Sequence, residues 1–371
     1  MKKNKQGSGI LGGLLLLLVG IGLLWWNEGR TVKAQSGINE AKKNYTQIKN
    51  DKIDSKYDGK LIATNGEIDL SESEDLKDEK FGISVKSTKL QRYIEMYQWE
   101  EKCETDDDDN KKCTYEKVWN DAIIDSTKFE ESGHTNPGTM PYDAEMHLND
   151  KAKLGKFRIP VDLIDKLSTN KTKTEEELNK EYNKSVENLN ISGKYLTNAE
   201  KIEEPEIGNI RISFKYSDTK KISILAVQID DTFKQYTSKK GKVIYKIKEG
   251  TYTGEEILMQ MTKENKFFKW LWRIIGTLLV IASIGSLFDP IQKLANFIPI
   301  VRNIVSIGIS LVSFVVGLAI SLLVIAIAWF RYRPLLSISL IIVIIGLLVF
   351  LKTKKPIEIK SKPKTKSKKK E

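Results

Sequence analysis

An amide, a carboxylate and a guanidinium follow directly after the first apolar stretch of the chain. Asn27, Glu28 and Arg30 come after seventeen consecutive uncharged residues, 10–26. An ionisable group at the edge of a membrane span usually has a partner of opposite charge. Arg273 lies near the start of a later apolar stretch, at the same face of the bilayer, so we predict that it pairs with Glu28. The alternative role of the three residues is a helix end with one interfacial ion pair.

The two cysteines of the chain are the next candidates for chemistry. Cys103 and Cys113 bracket a polar loop, and strand-like patterns on both sides predict a hairpin that brings their sulfur atoms close together. A disulfide is permitted on the oxidising side of a membrane, where closing a loop this short contributes about 2–3 kcal/mol. Two free thiols are the alternative if the topology is inverted.

No set of side chains in the sequence has the spacing of a metal site. The four aspartates 106–109 suggest calcium, but an EF-hand loop opened by Asp106 needs a glycine where Lys111 stands. The only histidines, His134 and His147, have no cysteine or second carboxylate motif to complete a ligand set. We therefore expect no metal, and we predict structural or exposed roles for both histidines.

The sequence also lacks the common catalytic patterns. It contains no H-E-x-x-H, G-x-S-x-G or G-x-x-x-x-G-K-S/T motif, and no G-x-G-x-x-G follows a predicted strand. The many carboxylates lie in charge-balanced helices and loops, which does not indicate acid–base catalysis. We predict no catalytic residues, no cofactor and no enzymatic activity.

The formal charge of +11 lies in the two ends of the chain. Residues 1–5 carry three lysines, and residues 352–371 carry ten lysines against two glutamates. The rest of the chain is neutral overall, so the basic character favours an anionic membrane surface over a nucleic acid as partner. The alternative role of the C-terminal tail is a solvated flank that stops membrane transfer.

Four apolar stretches are long enough to cross a bilayer, which needs about 17–25 residues. They are residues 10–26, 268–288, 304–330 and 334–351. Because a basic leader tends to remain cytoplasmic, we predict cytoplasmic tails at 1–9 and 352–371 and an exoplasmic or lumenal domain over 27–267. Arg331 and Arg333 oppose this orientation, since it places their short turn outside.

Two further features concern how these stretches are used. Ser313, Gly317 and Ser321 place small residues at helical spacing, which permits close packing against another helix. The alternative to an uncleaved first span is a signal peptide whose removal leaves Gln35 as the first residue.

The region between the first and second spans is predicted to form an α+β domain, an antiparallel sheet with helices. Strand-like alternation occurs at residues 61–64, 81–85, 90–100, 115–119, 212–216, 225–229 and 243–247. The last of these runs places Val243 and Ile247 on one face. The spacing of apolar residues predicts charged surface helices over 36–50 and 171–190.

Six consecutive residues form a membrane-interface motif at the end of the first span: Trp25, Trp26, Asn27, Glu28, Gly29 and Arg30. The paired tryptophans stand where an aromatic interface anchor belongs. The motif resembles the signature of the LUMA family, four-span proteins of the endoplasmic reticulum and inner nuclear membrane that also have bacterial members. Similar segments at 96–100, 134–141, 208–214 and 329–334 extend the resemblance along the chain.

The resemblance implies a non-enzymatic membrane scaffold that helps to organise the nuclear envelope or endoplasmic reticulum membrane and that self-associates. The expected partners are membrane lipids, other membrane proteins and further copies of the chain, with emerin and lamins only in an animal-type member. A bacterial host implies the plasma membrane instead. The alternative function is a sensor or carrier of a lipid or small apolar ligand, which a large apolar cavity in the central domain would favour.

Overall fold

The computed structural model describes residues 6–105, 111–183, 189–288 and 299–332, together with 334, 335 and 338. It divides into two compact units, one formed by Met1–Ser36 and Thr262–Glu371 and the other by Gly37–Met261. The lysine-rich tail, the whole aspartate run 106–109 and all but three residues of the predicted fourth span lie outside the described residues.

The described residues form five α-helices and eighteen strands. The helices are α1 (Gln6–Asn44), α2 (Val161–Ile164), α3 (Glu175–Glu181), α4 (Gly254–Leu287) and α5 (Pro299–Tyr332), with short 3-10 turns at Ser55–Tyr57 and Ser126–Lys128. The strands are β1 (Thr46–Gln47), β2 (Leu61–Asp69), β3 (Leu76–Asp78), β4 (Ile83–Val85), β5 (Lys89–Thr105), β6 (Lys111–Asn120), β7 (Glu145–Leu148), β8 (Lys153–Leu154), β9 (Phe157–Arg158), β10 (Lys171–Thr172), β11 (Asn190–Ser192), β12 (Tyr195–Thr197), β13 (Ile210–Tyr216), β14 (Lys221–Ile229), β15 (Thr232–Lys234), β16 (Tyr236–Thr237), β17 (Val243–Ile244) and β18 (Lys246–Glu249).

Three helices in the described part of the chain are long and apolar enough to cross a membrane, over Ile10–Asn44, Gly254–Leu287 and Ile307–Tyr332. They meet around Leu24, Val280 and Val324, which form a small buried core. Many of their other apolar side chains face outward, as Leu11 and Leu311 do at 69% and 64% exposure. Such outward-facing apolar surface suits hydrocarbon surroundings.

The other unit contains two seven-stranded sheets. The first has the order β15-β14-β2-β8-β9, with β1 beside β2 and β18 beside β14, and the second has the order β11-β12-β13-β5-β6, with β10 beside β13 and β7 beside β5. Strands β1 and β2 pair in parallel, while the long pairs β2–β14, β5–β6 and β5–β13 are antiparallel. Strands β13 and β14 lie in different sheets, so the polar turn 217–220 carries the chain from one sheet to the other.

Each sheet has its own hydrophobic core. Phe157 and Ile224 are fully buried in the core of the first sheet, and Phe81 and Phe214 are fully buried in that of the second. This central, sheet-rich region between apolar helices agrees with the predicted α+β class.

A third core covers the opposite face of the first sheet. Ile38 from the end of α1 and Ile257 from the start of α4 pack there with Leu225 of β14. Both faces of β14 are therefore buried, which is why residues 222–227 form an almost unbroken apolar run apart from Ser223.

The helix predicted over residues 171–190 is wrong in its extent. Among the described residues of this range only α3 is helical. It begins there because Thr174 Oγ1 accepts a hydrogen bond from Glu177 N–H and the Glu177 carboxylate accepts one from Thr174 N–H. The preceding residues belong to β10 instead, and Leu178 joins the core of the second sheet.

Two other predicted elements also differ from the structure. The helix expected over 36–50 is the last part of α1 and ends at Asn44, with β1 following. The strand expected over 243–247 is divided between β17 and β18, so that Ile244 is fully buried while Val243 is 44% exposed. The alternation of apolar residues changes face at the break between these two strands.

Candidate functional site

Glu28 lies at the centre of a polar cluster that joins the three apolar helices. Its side chain is fully buried. Its Oε1 accepts a hydrogen bond of 2.7 Å from Nε of Arg273 on α4, and its Oε2 accepts one of 2.9 Å from Nε1 of Trp329 on α5. Both carboxylate oxygens are thus occupied by donors from two other helices. We call Glu28, Arg273 and Trp329 the Glu28 cluster.

Aromatic rings enclose the cation of this cluster. The guanidinium carbon of Arg273 lies 5.0 Å from the ring centroid of Trp270 and 5.6 Å from that of Trp329. Arginine suits such a place because its planar, delocalised charge stacks on aromatic faces while it donates in its own plane. The pair is therefore shielded from water as well as hydrogen-bonded.

Neighbouring amides add hydrogen bonds between α1 and α4. Asn27 is fully buried, and its Nδ2 donates to the carbonyl oxygen of Lys269 over 3.0 Å. One turn further, Nδ2 of Asn265 donates to the carbonyl oxygen of Thr31 over 3.1 Å. Arg30 donates from Nη2 to Oδ1 of Asn27 over 3.2 Å, so the motif residues also contact one another.

Gly29 and the paired tryptophans of the motif contact aromatic rings on α4 and α5. A Cβ atom added to Gly29 would lie 2.7 Å from Cζ of Tyr332, so the Tyr332 ring packs directly on this glycine and would have to shift for a larger residue. The rings of Trp25 and Tyr332 meet edge to face at 6.1 Å, and those of Trp26 and Trp272 at 6.0 Å. All six motif residues thus make contacts at this end of the helices.

The small residues of α5 lie against α4. A Cβ atom on Gly317 would come within 2.8 Å of the Cα of Ile281. Ser321 donates to the carbonyl oxygen of Gly317 over 2.8 Å, and Ser313 is 4% exposed. This face is therefore occupied within the chain by Ile281.

Cys103 and Cys113 are directly opposite each other on β5 and β6 and are joined by a disulfide. Beside it, hydrogen bonds from the Tyr115 hydroxyl and from Glu130 N–H hold the pKa of Glu101 below its usual value. These contacts make the base of the hairpin a hydrogen-bonded unit.

The histidines have structural surroundings. The ring of His134 stacks on Tyr115 with 3.9 Å between centroids. His147 lies near Asp78 and Glu145, and the three could offer ligand atoms within 4.8 Å of one another. Arg92 already donates to both carboxylates, over 2.6 and 2.8 Å, so a divalent cation would have to displace it.

A pocket of about 650 Å³ opens beside β5 and β13 of the second sheet. Its lining mixes the rings of Tyr93 and Trp119 with the charged groups of Glu95, Asp121 and Lys215. Nζ of Lys215 lies 4.3 Å from the ring centroid of Tyr93. This pocket is too polar to be the large apolar cavity that a lipid carrier requires.

Sequence reasoning singled out Glu28 and Arg273 but missed Trp329, Asn265 and Tyr332 as their neighbours. Trp329 and Tyr332 stand in a segment noted for its family resemblance, which was the available signal. Asn265 stands in a charged segment before the second span, where a single amide gives no signal of its own.

The three apolar helices, joined by a buried ion pair, are typical of an integral membrane protein. The sheet-rich unit is its large non-spanning region. The family model described as Transmembrane protein 43 matches residues 96–334. The chain therefore belongs to the transmembrane protein 43 family, which is the LUMA family.

Curated relatives extend the similarity to almost the whole chain. Transmembrane protein 43 of Mus musculus and that of Homo sapiens are each 27% identical over 353 residues, which cover 90% of this chain and 86% of the relative. The Transmembrane protein 43 homolog of Drosophila melanogaster is 24% identical over 351 residues, covering 89% and 90%. No solved structure matches, and no catalytic family is indicated.

Proposed function

We propose that this protein is a non-enzymatic membrane scaffold of the LUMA type, which organises membrane protein complexes. The observation that carries the proposal is the Glu28 cluster, in which one buried carboxylate fixes two other helices. Both oxygens of Glu28 are held by donors. A carboxylate in that state serves to position helices.

The energetic argument also favours a positioning role. Burying an ion pair contributes little net stability compared with apolar packing, although breaking the pair is costly. An ionisable group within a membrane segment is therefore best explained by a specific arrangement that it selects. A bundle with one defined arrangement presents one defined surface to partner proteins and to further copies of the chain.

The proposed partners and location are those expected from the resemblance to the LUMA family. The proposal includes self-association and contact with membrane lipids and membrane proteins, with emerin and lamins as partners only in an animal-type member. The location is the endoplasmic reticulum or inner nuclear membrane in a eukaryote and the plasma membrane in a bacterium. The sheet-rich unit is exoplasmic or lumenal, which protection from protease in sealed vesicles tests directly.

The test of the scaffold is a charge exchange combined with a cross-linking census of native membranes. Glu28→Arg and Arg273→Glu are made singly and together in a Trp329→Phe background, because the indole N–H would otherwise face the new cation. We expect each single reversal to abolish cross-linked assemblies and the double exchange to restore them. The matched control exchanges Lys42 and Glu255, an exposed pair at the same 2.7 Å separation. Assemblies that survive both single reversals would rule out the cluster as their organiser.

A further inference from the structure

Within the described part of the chain, Arg30 forms no ion pair with an acidic residue, whereas Arg273 does. The Nη2 atom of Arg30 contacts two neutral oxygens, Oδ1 of Asn27 at 3.2 Å and Oγ1 of Thr31 at 3.5 Å. Its Nε is buried and has no hydrogen-bond partner among the described residues. The guanidinium also lies 5.8 Å from the ring centroid of Trp26. A cation held in place with an unused donor is prepared to receive an anion.

The surroundings of Arg30 are basic as a whole. Residues 27–36 and 262–273, which we call the interfacial collar, contain six basic and two acidic residues. One of the two acids, Glu28, is already paired with Arg273. The collar therefore carries a net positive formal charge.

The collar is also rich in exposed aromatic rings. Trp26, Phe267, Phe268 and Trp270 are 50%, 63%, 44% and 58% exposed. Aromatic side chains at the end of an apolar helix mark the level of the lipid headgroups. The basic residues of the collar therefore lie at the depth of the phosphates of a bilayer.

We propose that Arg30 binds the phosphate of an anionic phospholipid, with the basic residues of the interfacial collar favouring anionic over zwitterionic headgroups. The guanidinium matches this ligand because its parallel N–H groups donate to two phosphate oxygens at once. Nε–H has no partner among the described residues but is enclosed by the protein, and Nη2 contacts Asn27 and Thr31, so the side chain must turn towards the lipid before these two groups provide such a pair of donors. The exposed Trp26 and Trp270 rings would pack against the glycerol and upper acyl chains of the same lipid. This site is independent of the scaffold role.

The experiment measures lipid selectivity next to the full-length protein. The protein is reconstituted in phosphatidylcholine vesicles, and spin-labelled phosphatidylglycerol and spin-labelled phosphatidylcholine are compared by the motionally restricted fraction of their spectra. We expect phosphatidylglycerol to be preferred, and Arg30→Gln to reduce this preference roughly fivefold, the effect of about one charge near an anionic surface. Arg30→Lys keeps the charge but loses the paired donors, so it should retain part of the preference.

The same measurement of lipid preference is applied to a control variant and gives the results that would contradict the proposal. Arg158→Gln removes an exposed arginine of the sheet-rich unit, which lies 3.6 Å from Asp231, and should leave the preference unchanged. An unchanged preference in Arg30→Gln overturns the proposal. Displacement of the spin-labelled lipid by soluble inorganic phosphate also overturns it, since the site would then bind free anions. Equal unfolding temperatures of the Arg30 variants and the unmodified protein separate a lost site from a lost fold.

Discussion

Replacing Glu28 by glutamine removes the only negative charge that contacts Arg273 in the described part of the chain. The new side chain has almost the same volume but a single oxygen. Two donors, Nε of Arg273 and Nε1 of Trp329, point at the present carboxylate from 2.7 and 2.9 Å. In the variant one of them would face an amide NH₂ group, and the buried cation would lose its counterion.

The magnitude follows from the burial of both partners. The side chains of Arg273 and Glu28 are 11% and 0% exposed. Removal of one partner from such a buried pair costs about 3–5 kcal/mol, because the remaining charge stays buried and uncompensated. We therefore expect Glu28→Gln to lower the free energy of unfolding by about this amount.

The assay is SDS-induced unfolding of the full chain in detergent, followed by tryptophan fluorescence. The matched control is Glu255→Gln, because Glu255 also lies 2.7 Å from its basic partner, Lys42, but both side chains are more than half exposed. Exposed pairs contribute little to stability, so this control should unfold like the unmodified protein.

A double variant distinguishes loss of the pair from loss of packing. Glu28→Gln combined with Arg273→Met removes both charges, and exchange of a buried pair for uncharged groups of similar volume is often neutral. We expect the double variant to recover most of the lost stability. If Glu28→Gln and Glu255→Gln unfold alike, the buried pair does not hold the helices and the reasoning is refuted.

Three further predictions concern other parts of the chain. Gly29→Ala should lower the free energy of unfolding by about 1–3 kcal/mol, because the added methyl group overpacks against Tyr332. Adding Tyr332→Ala to this variant should relieve the clash. SDS unfolding checks both results. The Thr127 hydroxyl and N–H lower the pKa of Asp125 to about 2. The stability that this group contributes is therefore present above its unfolded pKa of about 3.9 and falls as the pH drops towards 2. In Asp125→Asn the free energy of unfolding should depend less on pH across that range. Cys103→Ser should lower the free energy of unfolding by about 2–3 kcal/mol relative to the oxidised protein, because a short closed loop is lost, and reduction of the unmodified protein should lower it by the same amount.

The long apolar runs and the strongly alternating strands were accessible from the sequence alone. Residues 10–26 and 304–330 lie within α1 and α5, and the strand pattern of residues 90–100 lies within β5. These elements bury or expose many side chains in a regular pattern, so each carries its own signal.

Other features depended on contacts that no local pattern records. Strands β13 and β14 are joined by a short polar turn, yet each pairs with a strand more than one hundred residues earlier in the chain, as Ile212 does with Ile94. The charge of Glu28 and Arg273 marked them as partners, but a neutral indole such as that of Trp329 gives no such signal. The sequence therefore indicates which groups need partners and leaves the choice of neutral partners to packing.

Glu28 is far from its two partners in the sequence, and this distance has a consequence during synthesis. Glu28 precedes Arg273 and Trp329 by 245 and 301 residues, so at about 5–20 residues per second the last partner is made roughly 15–60 s after the acid. Throughout that interval the acid must stay in contact with water, since a lone carboxylate in hydrocarbon is costly. A chain that is truncated before Arg273 would keep this acid permanently without either partner.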